Sequence, residues 1–134
     1  MQSNEETHFT FSSEQRLRFD WQFDKIFRIG LRENRALVRL LFLKGEQDTR
    51  VGVTVSKHIA HACGRTHGRR ILREACRHLL PYLEDGLWVC VSLTQRGLAS
   101  KTQDIYREMV SILKKKKLLK ESFLVHKWQT SQDK

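Results

Sequence analysis

From Arg65 to Arg77 an arginine returns at every fourth position, at 65, 69, 73 and 77, among Ile71, Leu72, Ala75, Cys76, Leu79 and Leu80. On a helix each such step advances about 40° around the axis, so the four guanidinium groups trace a slow spiral stripe roughly 18 Å long at 1.5 Å per residue. The aliphatic residues fall on the other side. Such a helix is stable only if its apolar face packs on a partner element, which leaves the cationic face outside. Between Lys57 and Arg77 the only acid is Glu74, set against Lys57, Arg65, Arg69, Arg70, Arg73 and Arg77. A merely solvated face is usually laced with opposite charges, whereas this one fits a polyanion.

The chain on either side supplies the partner elements. Residues 1–18 are polar, mixed in charge and lack an apolar period, and read as a mobile or loosely docked arm. Phe19, Phe23, Ile26 and Phe27 then form a helical stripe that Gly30 can end, with the rings of Phe23 and Phe27 open to either core packing or contact with a base. Ala36 to Leu43 is aliphatic apart from Arg39 and reads as a strand buried on much of both faces. The polar loop Lys44 to Thr49 is long enough for an antiparallel hairpin into a second strand. In that strand Val51, Val53 and Val55 alternate with Gly52, Thr54 and Ser56, so one face is small enough for another group to approach closely.

Within the arginine helix Gly68 lowers helix propensity but projects toward the apolar side, where a missing side chain permits tight packing. Pro81 ends the helix. Leu87 to Leu93 predicts a third strand, and Gln95-Arg96-Gly97 a turn. Ser100 and Gln103 suggest a capping box for a last helix carrying Ile105, Met109, Ile112 and Leu113 and running into Lys114 to Lys117. The order α-β-β-α-β-α predicts an α+β domain over 19–119, a single small sheet packed with helices, followed by a frayed tail over 120–134.

With 134 residues and 40% hydrophobic content, one core is affordable and a second domain is not expected. Twenty-five Lys and Arg against 15 Asp and Glu leave a net charge of +10, more than solubility needs. Three cysteines in no paired spacing argue against a disulfide framework and suit a reducing cytosol. No apolar run approaches the roughly 18 residues of a membrane span, and the basic helix has no aromatic insertion face, so a cytoplasmic protein without a membrane partner is expected.

The sequence carries little that could act as an active site by itself. His61, Cys63, His67, Cys76 and His78 lie close along the chain, but without the paired short spacings of structural zinc. The carboxylates are scattered rather than convergent, as a metal-dependent nuclease would need. His58 and His61 could pair only on paper, and there is no phosphate-cradling glycine-rich loop or nucleophile elbow. No catalytic and no metal-binding residue is therefore assigned.

The succession Phe-Asp-Lys-Ile-Phe-Arg-Ile-Gly (23 to 30), Asn-Arg-Ala-Leu-Val (34 to 38), Val-Gly-Val-Thr-Val-Ser-Lys (51 to 57) and Arg-Thr-His-Gly-Arg-Arg-Ile-Leu-Arg-Glu-Ala-Cys-Arg (65 to 77) resembles the bacterial ribonuclease P protein component over residues 17–119. The resemblance implies a small basic subunit that joins a catalytic RNA to remove the 5′ leader of precursor tRNA. It further implies that the RNA performs hydrolysis with Mg2+ that it mainly binds itself, and that no obligate protein partner is needed. It places Lys57, Arg65, His67, Arg69, Arg70, Arg73 and Arg77 at the catalytic RNA, and Phe23, Phe27, Arg39 and His58 at the leader. A left-handed crossover between the second and third strands is implied as well. Arg65 matches the first arginine of the family's Arg-Asn-Arg, with Thr66 and His67 in the next two places; His58 replaces the second lysine of Ser-Lys-Lys, and Leu40 a common tyrosine. The altered triplet keeps open a general RNA-binding protein on the same scaffold, and an autonomous nuclease is a third reading.

Overall fold

The computed structural model describes residues 15–121 and 123. The first helix, α1 (Asp20–Ile29), is started by a buried side chain: Gln22 Oε1 accepts the N–H groups of Arg18 and Phe19 at 2.7 and 3.0 Å, satisfying donors that a helix N-terminus leaves open. Gly30 closes it, its N–H donating to Ile26 O at 2.9 Å. Four strands follow, β1 (Leu31–Asn34), β2 (Val38–Leu43), β3 (Arg50–Thr54) and β4 (Trp88–Leu93). The arginine helix α2 (Ala62–Leu79) joins β3 to β4, and the short α3 (Gln95–Leu98) leads into α4 (Thr102–Lys115).

The sheet order is β1-β2-β4-β3, with β1/β2 and β2/β4 antiparallel and β3/β4 parallel. An α+β fold with one small sheet is thus present, but β2 and β3 do not form the hairpin that the Lys44 to Thr49 loop suggested. A parallel pair needs a long crossover, and α2 is that crossover; it returns β4 to the centre, between β2 and β3. The central place explains why β4 is buried on nearly every residue.

One face of the sheet carries the main core. Val38, Leu40 and Phe42 of β2, Val51 of β3, and Val89, Val91 and Leu93 of β4 pack with Ile71, Leu72, Ala75, Cys76 and Leu79 of α2 and with Ile105, Met109, Ile112 and Leu113 of α4. Gly68 sets how closely α2 sits. A Cβ there would lie 2.9 Å from Val55 Cγ2 and 3.0 and 3.1 Å from Leu98 and Leu93 side-chain atoms. The other face has a smaller cluster of Leu17, Ile26, Trp88 and Cys90, flanked by Phe23, Leu41 and Leu43. Because α1 is short, it covers only part of that face.

Several local expectations change. β1 is an extra strand, and its polar Leu-Arg-Glu-Asn reads poorly as one because it is an exposed edge. Gln95-Arg96-Gly97 lies in a helical turn, with Thr94 Oγ1 accepting from Gly97 N–H at 3.0 Å. No capping box forms at Ser100: its hydroxyl donates to Arg96 O at 2.9 Å, ending α3, and α4 begins after Lys101. Of the segment read as a polar arm, residues 1–14 lie outside the described residues. Its last part docks, with Leu17 N–H donating to Val51 O at 3.1 Å and Leu17 buried. At the other end Lys120 N–H donates to Tyr82 O and Phe123 is buried against Tyr82, so the start of the supposed frayed tail is tied down. Residues 122 and 124–134 lie outside the description.

One anchor was not visible in the sequence. Glu108 Oε2 of α4 accepts the N–H groups of both Leu37 and Val38, at 2.7 and 2.9 Å, and so fixes the start of β2. Replacing Glu108 by Ala leaves both donors without that acceptor. Denaturant unfolding of Glu108→Ala is expected to show a loss of about 2 kcal/mol, with the slope against denaturant unchanged.

Candidate nucleic-acid interface

Where α1 stops short, the sheet's second face opens into a groove of about 630 Å³. Cys90 and Ser92 of β4, Leu41 of β2 and Thr54 of β3 line it together with Arg39, the exposed ring of Phe27, and Ser56 and His58 from the loop after β3. Ser56 Oγ accepts from His58 N–H at 3.0 Å, a local turn that leaves Lys57 and His58 exposed. Three of the four residues expected at a leader, Phe27, Arg39 and His58, therefore meet in one concavity.

Phe23 is placed differently. Its ring is half-buried and lies over Gly52, where a Cβ would come within 2.9 Å of Phe23 Cε1. It lines a separate hollow of about 240 Å³ with Arg16, Arg18, Gly52 and Arg73. The Phe23 and Phe27 rings are 6.1 Å apart between centroids, so they form a ridge between the two hollows. The groove also gains Arg32 and Asn34 of β1. These were missed because nothing in the local pattern marked β1 as a strand.

On α2 the arginines differ in how free they are. Arg70 and Arg73 are exposed, with no ion-pair partner among the described residues, and Lys57 and His67 are exposed too. Arg65 donates to Ala60 O at 3.1 Å, and Arg69 makes only a 3.5 Å contact with Thr66 Oγ1. Thr66, at the position of the family's asparagine, turns its hydroxyl back to Ala62 O at 3.2 Å. Arg77 is occupied: Nε and Nη2 donate to the Glu74 carboxylate at 3.1 and 2.7 Å. The cationic face thus centres on Arg65, Arg69, Arg70 and Arg73, with Arg77 held by its own helix.

That bond to Arg77 is also the main reason why the Glu74 carboxyl lies below its ordinary range. His78 Nε2 stands 3.2 Å from the same carboxylate. Burial holds the imidazole below 6.5, and Glu74 opposes this only in part. Among the described residues no three His, Cys, Asp or Glu side chains gather where a metal ion could be held. Cys76 and Cys90 are buried, and burial pushes both thiols up to about 12. No helix of the described residues is long and apolar enough to cross a membrane.

A family model described as Ribonuclease P matches residues 11–128. The chain belongs to the ribonuclease P protein family. Among curated relatives, the ribonuclease P protein component of Xanthomonas campestris is 34% identical over 94 residues, 69% of this chain and 64% of that protein. The chain thus spans less than two thirds of the Xanthomonas relative. That of Pseudanabaena is 32% identical over 110 residues, 80% of this chain and 95% of that one. Among solved structures, the RNase P protein of Staphylococcus aureus superimposes with a TM-score of 0.67 at 20% identity, covering 78% of this chain and 96% of that one. The Thermotoga maritima RNase P protein gives 0.66 at 23% identity, covering 75% and 96%. At these identities the likeness is one of fold, and the fold is that of ribonuclease P proteins.

Two solution measurements follow from the side-chain environments. In the native protein an aromatic disulfide reagent is expected to titrate one thiol rapidly, the exposed Cys63, and all three only after unfolding. The unfolded chain binds a proton at His78 and Glu74 more readily than the folded one, so both groups favour folding at high pH and lose that contribution on acidification. The melting temperature should therefore fall as the pH drops below the imidazole's ordinary 6.5, and His78→Gln should remove the upper part of that fall.

Proposed function

We propose that this chain is the protein subunit of ribonuclease P and acts in removal of the 5′ leader from precursor tRNA. In this reading Arg65, Arg69, Arg70 and Arg73, with Lys57 and His67, bind phosphates of a catalytic RNA. Single-stranded leader RNA lies in the groove of Phe27, Arg39 and His58. Phe23 supports the Phe27 ring from behind, and Arg77 contributes to the helix rather than to the RNA. The observation that carries the proposal is the pairing of these two surfaces. An open, aromatic-edged groove on one face of the sheet adjoins a helix whose outer side carries guanidinium groups almost without counter-charge.

Each part has a physical task. Base–aromatic stacking accepts any sequence, since every base has a π-face, and the small floor at Cys90, Ser92 and Thr54 leaves room for a backbone to approach. Arginine forks suit phosphate bidentately. In this reading Mg2+ is bound mainly by the RNA partner, and the chemistry of phosphodiester hydrolysis is left to that partner. Cytoplasmic residence follows from this partnership.

The test is reconstitution. Precursor tRNA cleavage by a bacterial ribonuclease P RNA at low Mg2+ should be strongly stimulated by this chain, and no stimulation by folded protein would overturn the proposal. Phe27→Ala should reduce the preference for leader-bearing over leaderless tRNA by about tenfold, the value of one lost stacking contact. Arg69→Ala with Arg73→Ala should flatten the log–log salt dependence of RNA affinity by about 1 to 2. Because Thr66 turns toward its own helix, a general RNA-binding role is the competing reading; affinity indifferent to the leader, without stimulation, would favour it.

A further inference from the structure

The lysine run at the end of α4 is not used by either surface described above. Two ordinary structural uses exist for it. Lys114 and Lys115 lie in the last helical turn, where a cation complements the helix dipole, and Lys116 reaches Glu33 Oε1 at 3.5 Å. Neither use reaches Lys117. The dipole's influence fades beyond the last turn, and Lys117 has no ion-pair partner among the described residues.

Lys117 is also conformationally expensive. It is the only described non-glycine residue with positive φ, at +59°. Its N–H donates to Lys114 O at 3.0 Å and that of Leu118 to Leu113 O at 2.8 Å, closing the helix in the two-bond pattern whose left-handed position is normally glycine. Leu118 is fully buried, so the turn is anchored and the Lys117 backbone cannot relax by letting go. A left-handed lysine is less stable than glycine at such a position. Strain of this kind points from the observed outlier toward a role for the side chain.

The turn's position separates it from the groove. Glu84 N–H donates to Leu118 O at 2.9 Å and Leu83 bridges to Leu119, which places the lysines beside the segment that enters β4. The groove lies on the other face of the sheet, lined by Leu41, Cys90 and Ser92, whereas α4 packs on the main-core face. The lysines come nearest to it at the β1 edge, where Lys116 reaches Glu33 between the groove-lining Arg32 and Asn34, so it is the thickness of the sheet that parts the two surfaces. Lys114, Lys115 and Lys117 are exposed, and the nearby Asp85 engages Lys120 at 3.2 Å.

We propose that Lys114, Lys115 and Lys117 form a second phosphate-binding contact for the structured RNA partner, separate from the leader groove and from the arginine face of α2. It rests on the RNA-binding reading above, but a different set of side chains carries it. Lysine suits this task as a point charge for phosphates without base readout.

The experiment uses the full chain and a bacterial ribonuclease P RNA, with affinity measured across a salt series. Each lost phosphate contact should lower the log–log slope by about 0.7 to 0.9. Lys117→Gly should therefore bind more weakly with a slope lower by about 1, while its melting temperature rises by about 3 °C as the left-handed strain is relieved. Weaker binding by a more stable protein cannot come from misfolding. The variant combining Lys114→Gln, Lys115→Gln and Lys117→Gly should lower the slope by about 2, and leave the ratio of affinities for leader-bearing and leaderless tRNA unchanged.

An unchanged slope in that variant overturns the contact, even where Arg69→Ala with Arg73→Ala still flattens it; that outcome leaves the subunit reading standing. A changed leader ratio overturns the separation of the two sites. A parent chain with no salt-dependent affinity for the RNA overturns both readings together. Loss of binding to phosphatidylserine vesicles, with the RNA slope intact, would assign the lysines to a lipid surface and overturn the RNA contact.

Discussion

The seating of α2 on the sheet is the interaction on which the molecule depends. Ile71, Leu72, Ala75, Cys76 and Leu79 supply its apolar face, and Gly68 lets its N-terminal half approach Val55, Leu93 and Leu98 at a distance a side chain would forbid. Because the same helix links β3 to β4, its seating also decides the strand order. It pins the parallel pair together and places β4 in the middle. Burying Ile71, Leu72 and Leu79, each worth roughly 1.5–3 kcal/mol, offsets the mutual repulsion of the charges on the helix's outer face.

The two faces of the sheet serve opposite ends. One is sealed by α2 and α4, the other only partly by α1, whose length of 10 residues leaves the far half uncovered. Phe27 stands at the border between the covered and the open half, 45% exposed. The open half is thus a product of helix length, with β-strand side chains small enough to leave a floor.

Much of this was legible in the sequence because local chemistry and tertiary role agreed. The period of α2, the stop at Pro81, the packing role of Gly68 and the valine alternation of β3 each follow from steric or hydrophobic rules that act within a few residues. The hairpin reading failed because loop length says nothing about which strand is inserted later between its arms. Ser100 failed as a cap because its hydroxyl had a closer acceptor at Arg96. Arg77 looked like its neighbours until Glu74, three residues before it, was seen to hold it. In the groove, Phe27, Arg39 and His58 converge from three separate segments, which no local spacing could show. Phe23 departs from them because the space over Gly52, a contact between distant segments, draws its ring aside.

The strand that ends the sheet, β3, is not left bare. The segment at Arg16 and Leu17 runs parallel to it, with Leu17 N–H on Val51 O and Arg50 donating to Arg16 O at 3.0 Å. At the opposite margin, β1 is only four residues long and carries Arg32. Neither rim therefore offers the long, flat row of unmet peptide groups onto which a foreign chain could zip. Fibrous self-assembly is in this way resisted by backbone geometry as well as by mutual repulsion of the chain's positive charges.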